Sequence, residues 1–127
     1  KNRLIPITIN SCIKNLKFPC TQGSQKRDFL YIDDFIDLII KILESKKINS
    51  GIFNVGYGKP IKVKKAILTI VKKIKKGNPL FGKIKMRKDE KNSLYPNLNK
   101  IKKTFKWRPK INFDTGISKT INFYKEK

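Results

Sequence analysis

Ten consecutive residues, Gln25-Lys26-Arg27-Asp28-Phe29-Leu30-Tyr31-Ile32-Asp33-Asp34, constrain this chain more than any other stretch. A guanidinium stands beside a carboxylate at Arg27-Asp28. An apolar, β-prone run follows from Phe29 to Ile32, and an acidic pair then opens the pattern Phe35-Ile36-Asp37-Leu38-Ile39-Ile40-Lys41-Ile42-Leu43. This order predicts a strand over Arg27–Ile32 that turns directly into a helix capped by Asp33 or Asp34 and running to about Ser45. The apolar face of that helix is Phe35, Ile36, Leu38, Ile39, Ile42 and Leu43. A buried strand that aims an arginine at its mouth and leads into a capped helix suits the holding of an anion.

The rest of the chain alternates helical and extended patterns. Apolar residues between Leu4 and Leu16 predict a short helix begun by Pro6, a residue suited to the first turn. Phe18–Gln25 reads as turn-rich with a short extended piece, and Lys46–Ser50 as a polar turn. Gly51–Gly56 predicts a short buried strand ending in the glycine turn Gly56–Pro60. A second amphipathic helix is expected from Val63 to about Lys76, stopped by Gly77-Asn78-Pro79. Lys83–Arg87 alternates as an edge strand would. Asn97 is placed to cap a short helix to Phe105, Trp107-Arg108-Pro109 to turn, and Asp114 to cap a final helix through about Tyr124.

At 127 residues there is room for one domain with a modest core. No apolar run approaches a membrane span, and Lys1–Pro6 lacks the layout of a signal peptide. The chain begins at Lys1 without an initiator Met, as a piece of a longer protein would. Cys12 and Cys20 have no metal-ligand spacing, and without any histidine a zinc site is not expected. Reduced cytoplasmic thiols are the favoured state of this pair, a disulfide the other. The formal charge of +22 invites a nucleic-acid reading, but 27 of the 31 basic residues are Lys, scattered and without aromatic interleaving. Groove readers and stacking surfaces lean on Arg. With 20 Ile and 11 Asn, the Lys excess reads as compositional bias and a solvated basic surface.

The run from Arg27 to Asp34 resembles the R-D-F-x-Y-V-x-D motif of the extended short-chain dehydrogenase/reductase family, the NAD(P)-dependent nucleotide-sugar epimerases and dehydratases. Three further stretches are similar to that family in the same order: Leu4-Ile5-Pro6, Phe53-Asn54-Val55-Gly56, and the ending from Lys100 to Tyr124 with its Trp107-Arg108-Pro109. The resemblance spans essentially the whole chain. It implies an α/β fold: the terminal strands of a Rossmann-type sheet plus a small C-terminal substrate-binding domain, incomplete without an N-terminal half. Residues 1–127 would be that C-terminal portion.

By the same resemblance, Arg27 would contact the diphosphate of a nucleotide sugar. The other reading of Arg27 is a structural ion pair with Asp28 or another carboxylate. Arg87 would meet phosphate and Glu90 the ribose hydroxyls, matching the family's Arg and acid three residues apart; the alternative is a solvated charge run on a loop. Arg3 with Leu4 would bring backbone to the nucleotide, or simply pack a helix start. Cys20 and Thr21 would line the base pocket. Asn54 and Gly56 look like fold signatures, a side chain tying a turn and a glycine freeing it.

Two features of the family are missing. No Gly-rich dinucleotide turn occurs, and Tyr31, Tyr57 and Tyr95 are followed four residues later by Phe35, Ile61 and Asn99 where a Tyr-x-x-x-Lys pair needs lysine. The resemblance therefore implies NAD(P) in the complete enzyme and none bound by this portion, which would not transfer hydride alone. It implies a nucleotide-diphosphate sugar and an N-terminal Rossmann half as partners, and a homodimer for the complete enzyme. Isolated, the portion would leave apolar strand edges uncovered.

Overall fold

A computed structural model describes residues 3–46 and 50–126. The polar turn expected over Lys46–Ser50 falls largely on residues 47–49, outside this set. The fold is mixed α/β, as the resemblance implied, with helices and short strands alternating along the chain.

Helix α1 (Leu4–Ile13) takes Pro6 within its first turn, where a missing N–H removes no helical hydrogen bond. It ends three residues earlier than the apolar pattern predicts, because Asn15 turns left-handed at φ 52°. The Asn15 side chain then accepts a hydrogen bond from Gly77 N–H at 3.1 Å. Helices α2 (Ile32–Leu43) and α3 (Val63–Ile74) lie where the 3.6-residue periodicity puts them. Two shorter-range elements close the chain, α4 (Asn99–Phe105) and α5 (Phe113–Lys125).

Helices α1, α3 and α5 pack around a core that includes Ile9, Cys12, Ile67, Ile70, Ile117 and Ile121. A second cluster, Leu38, Leu98, Ile101 and Trp107, joins α2 to α4. The strands are brief. Strand β1 (Lys17–Pro19) pairs in parallel with β4 (Asn78–Leu80). In the other sheet β2 (Lys26–Arg27) is central, antiparallel to β3 (Ile61–Lys62) and parallel to β5 (Ser93–Leu94).

Several expected elements differ. The strand expected over Arg27–Ile32 is paired only at Lys26–Arg27, and residues 28–31 join no ladder among the described residues. A β-prone run becomes a strand only when another strand lies beside it. Gly51–Gly56 and Lys83–Arg87 are likewise irregular rather than extended ladders, with Ile52 89% exposed.

The caps also move. Neither Asp33 nor Asp34 caps α2, which starts at Tyr31 without a side-chain cap. Asp34 is buried and instead accepts the backbone N–H groups of Lys110 and Ile111, each at 2.9 Å. Asn97 does tie the start of α4, its side chain accepting from Asn99 N–H at 2.9 Å. Asn112, not Asp114, caps α5 by accepting from Thr115 N–H. Asp114 pairs with Lys73.

Helix α2 keeps only part of its apolar surface inside. Leu38 is 1% exposed, while Ile32, Ile36, Ile40 and Leu43 lie open along one side. The uncovered apolar surface thus sits mainly on a helix face, where strand edges were expected.

Candidate functional site

Strand β2 delivers Arg27 to the edge of a cleft of about 460 Å³ lined also by Asp28, Asn54, Gly56, Tyr95 and Asn97. The neighbouring Asp28 is not the arginine's ion-pair partner. Its carboxylate accepts Tyr57 N–H at 2.6 Å and Gly58 N–H at 3.0 Å, fixing the turn after Gly56. A Cβ at Gly56 would overlap Asp28 Oδ2 and Pro96, so the glycine is required by close approach.

The pairing of β2 with β5 holds residues 91–94 against Lys26 and Arg27, with Lys26 N–H donating to the Asn92 carbonyl at 2.7 Å. Arg27 Nη1 donates to the carbonyls of Lys26 and Lys91, at 2.6 and 2.9 Å. Its Nη2 donates to Glu90 Oε1. The other oxygen of that carboxylate, Oε2, accepts from Arg87 Nε at 3.3 Å and Nη2 at 3.1 Å. Two guanidinium groups sixty residues apart in the chain therefore meet on one carboxylate. Glu90 is largely covered at 12% side-chain exposure, Arg27 less so at 24%, and Arg87 stands in solvent at 80%.

Of the residues singled out in the sequence, the structure brings Arg27, Arg87 and Glu90 together. Both oxygens of Glu90 accept from arginine, one from Arg27 and the other from Arg87. Arg3 is the N-cap residue of α1 and exposed, and Leu4 packs against the α1–α3–α5 core. Cys20 is buried in that core, and its carbonyl accepts from Ile84 N–H at 3.0 Å. Thr21 Oγ1 accepts from Gly23 N–H at 3.3 Å. The Cys20–Ser24 stretch thus runs beside the segment leading to Arg87, and Ser24 reaches Met86.

Both thiols are free, and burial pushes each above the ordinary cysteine range; Cys12 is raised further by the charge of Cys20. They are core groups rather than nucleophiles. Sequence reasoning missed the Lys91 carbonyl and the roles of Asp28 and Asp34. A main-chain acceptor leaves no mark in the residue types, and an acid ahead of a helix looks the same whether it caps that helix or bonds elsewhere. Among the described residues no group of three or more His, Cys, Asp or Glu could hold a metal, and no helix is long and apolar enough to cross a membrane.

The profile of the GDP-mannose 4,6 dehydratase family matches residues 2–120. The chain belongs to this family. The dehydratase family's curated relatives include CDP-abequose synthase of Salmonella muenchen, 30% identical over 123 residues that make up 94% of this chain and 41% of the relative. UDP-glucuronate 4-epimerase of Thermodesulfobacterium geofontis is 33% identical over 106 residues, 82% of this chain and 32% of that enzyme. Pal of Bacillus thuringiensis superimposes with a TM-score of 0.85 at 27% identity, over 99% of this chain and 40% of Pal. The fold is shared with UDP-glucose 4-epimerase of Thermotoga maritima, at a TM-score of 0.87 and 19% identity, over 98% of this chain and 40% of that one. The chain thus spans about two-fifths or less of the proteins it matches.

Proposed function

We propose that this chain is the C-terminal, substrate-binding portion of an NAD(P)-dependent nucleotide-sugar epimerase, dehydratase or ketoreductase. In this reading Arg27 and Arg87 clamp the diphosphate of the nucleotide sugar. The observation that carries the reading is their convergence on Glu90, because a carboxylate is the protein's own planar anion and a pyrophosphate offers the same kind of oxygens to the same forks. Family membership supports this substrate class: the relatives named above carry CDP- and UDP-linked sugars in their names.

NAD(P), which the family implies, does not fit the residues described. The strand-to-helix turn between β2 and α2 carries Asp33 and Asp34 in the first helical turn, where a phosphate would need N–H groups and no negative charge. The N-terminus of α3 is taken by its own chain, Val63 and Lys64 N–H donating to the carbonyls of Gln25 and Gly23. This chain would contribute binding and orientation of the sugar donor.

An N-terminal Rossmann half, covalent or separate, would cover the open face of α2 and the unpaired residues 28–31. Phe29, Leu30, Tyr31 and Ile32 also wall an apolar cavity of about 300 Å³ with Ile5, Ile111 and Ile117. A segment that joins no ladder and an apolar helix face suit a β-strand and its own sheet as partner.

The test is calorimetric titration with UDP-, dTDP-, CDP- and GDP-sugars, with and without Arg27→Ala. Saturable binding that the substitution abolishes supports the proposal. Binding to none of them, alone or with a Rossmann half, removes it; the rival reading as a basic nucleic-acid-binding module predicts steeply salt-dependent nucleic-acid binding that survives Arg27→Ala.

A further inference from the structure

We infer that Glu90 is the resident anion of the Arg27/Arg87 pair and sets the charge an outside anion needs to enter. The inference rests on the reading of the two guanidinium groups as an anion site, and it adds a specificity-determining role for a third residue. Each oxygen of Glu90 is engaged by a different arginine. Arg27 does not depend on that contact for its position. Its Nη1 is fastened to the carbonyls of Lys26 and Lys91, which leaves Nη2 as the donor presented outward to an anion. In this structure Glu90 takes that donor.

The triad of two arginines and one glutamate carries a net charge of one. A monoanion gains little by replacing a carboxylate that is already covered and doubly bonded. A pyrophosphate group brings more charge and oxygens enough to engage both forks, and Arg87, mostly in solvent, is free to follow it. Glu90 thereby discriminates diphosphate from monophosphate by competition. In this account its carboxylate moves away from the forks when the ligand arrives.

The experiment titrates the whole chain with inorganic pyrophosphate and with inorganic phosphate, comparing the parent with Glu90→Gln, Arg27→Ala and the double substitution. Glutamine keeps the side-chain shape and one acceptor while removing the charge. The expected result is that Glu90→Gln tightens pyrophosphate by about tenfold and phosphate by more, narrowing the ratio between them. Arg27→Ala should abolish both gains. Circular dichroism and the thermal midpoint establish that each variant is folded, and Glu90→Ser provides a second neutral side chain should glutamine disturb the loop. Parent binding that Arg27→Ala abolishes but that Glu90→Gln and Glu90→Ser leave unchanged or weaken overturns the role of Glu90 while leaving the diphosphate reading intact. No binding by the parent but Arg27-dependent binding by the neutral variants supports the inference. No binding by any of them, alone or joined by a Rossmann half, overturns both.

Discussion

The carboxylate of Asp28 occupies the space that a side chain at Gly56 would need. It is fixed there by the N–H groups of Tyr57 and Gly58, so it cannot yield without leaving two donors unpaired. Gly56→Ala should therefore destabilise the chain by about 2–4 kcal/mol through combined overpacking and lost hydrogen bonds. Urea denaturation checks it, and a loss within the error of the measurement would contradict this geometry.

Asp34 reaches from the first turn of α2 across to the backbone of Lys110 and Ile111. Asp34→Ala orphans two backbone donors beside Trp107 and its cluster. The expected cost is about 3 kcal/mol, whereas a cap-only role would cost nearer 1 kcal/mol. The same substitution at Asp33, which pairs with half-exposed Lys119, should change stability by less than about 0.5 kcal/mol.

These two aspartates show what is legible in the sequence and what is not. Helices α2 and α3 followed from apolar spacing, which is a property of the segment itself. The family followed from motifs in order. The sequence does not distinguish a carboxylate that caps its own helix from one that bonds residues seventy-six positions away, since both look like an acid ahead of an apolar run. Strands failed for a related reason. Phe29–Tyr31 has the composition of a strand, but a ladder needs a neighbour, and only Lys26–Arg27 have one among the described residues. At the candidate site, Arg27, Arg87 and Glu90 were legible as residue types at a spacing; their meeting on one carboxylate was not.

The thiols give a pH signature. Cys12 and Cys20 are held above their ordinary value of 9.0, first by burial. The native chain then keeps protons that the unfolded chain releases. Their contribution to stability is full below about pH 9 and is lost as pH rises from the unfolded value through the raised folded one. A Cys12→Ala/Cys20→Ala variant should accordingly lose less stability than the parent between pH 8 and pH 10. At pH 8 a thiol reagent should modify the native parent slowly and the urea-unfolded chain at once.

The open side of α2 predicts self-association of the isolated chain. Ile36→Lys with Leu43→Glu should lower the sedimentation-average mass at a given concentration while leaving the thermal midpoint nearly unchanged, because both side chains are largely exposed. A drop in midpoint of more than a few degrees would mean that this face is packed in the chain itself.

The chain has only four arginines, Arg3, Arg27, Arg87 and Arg108, so their side-chain N–H resonances can be followed singly. Titration of the chain, joined by a Rossmann half if binding requires it, with a nucleotide-diphosphate sugar should move the signals of Arg27 and Arg87 together along one saturable curve, with Arg108 unmoved. If all four drift in parallel and the drift vanishes with added salt, the two guanidinium groups belong to the basic surface and hold no diphosphate.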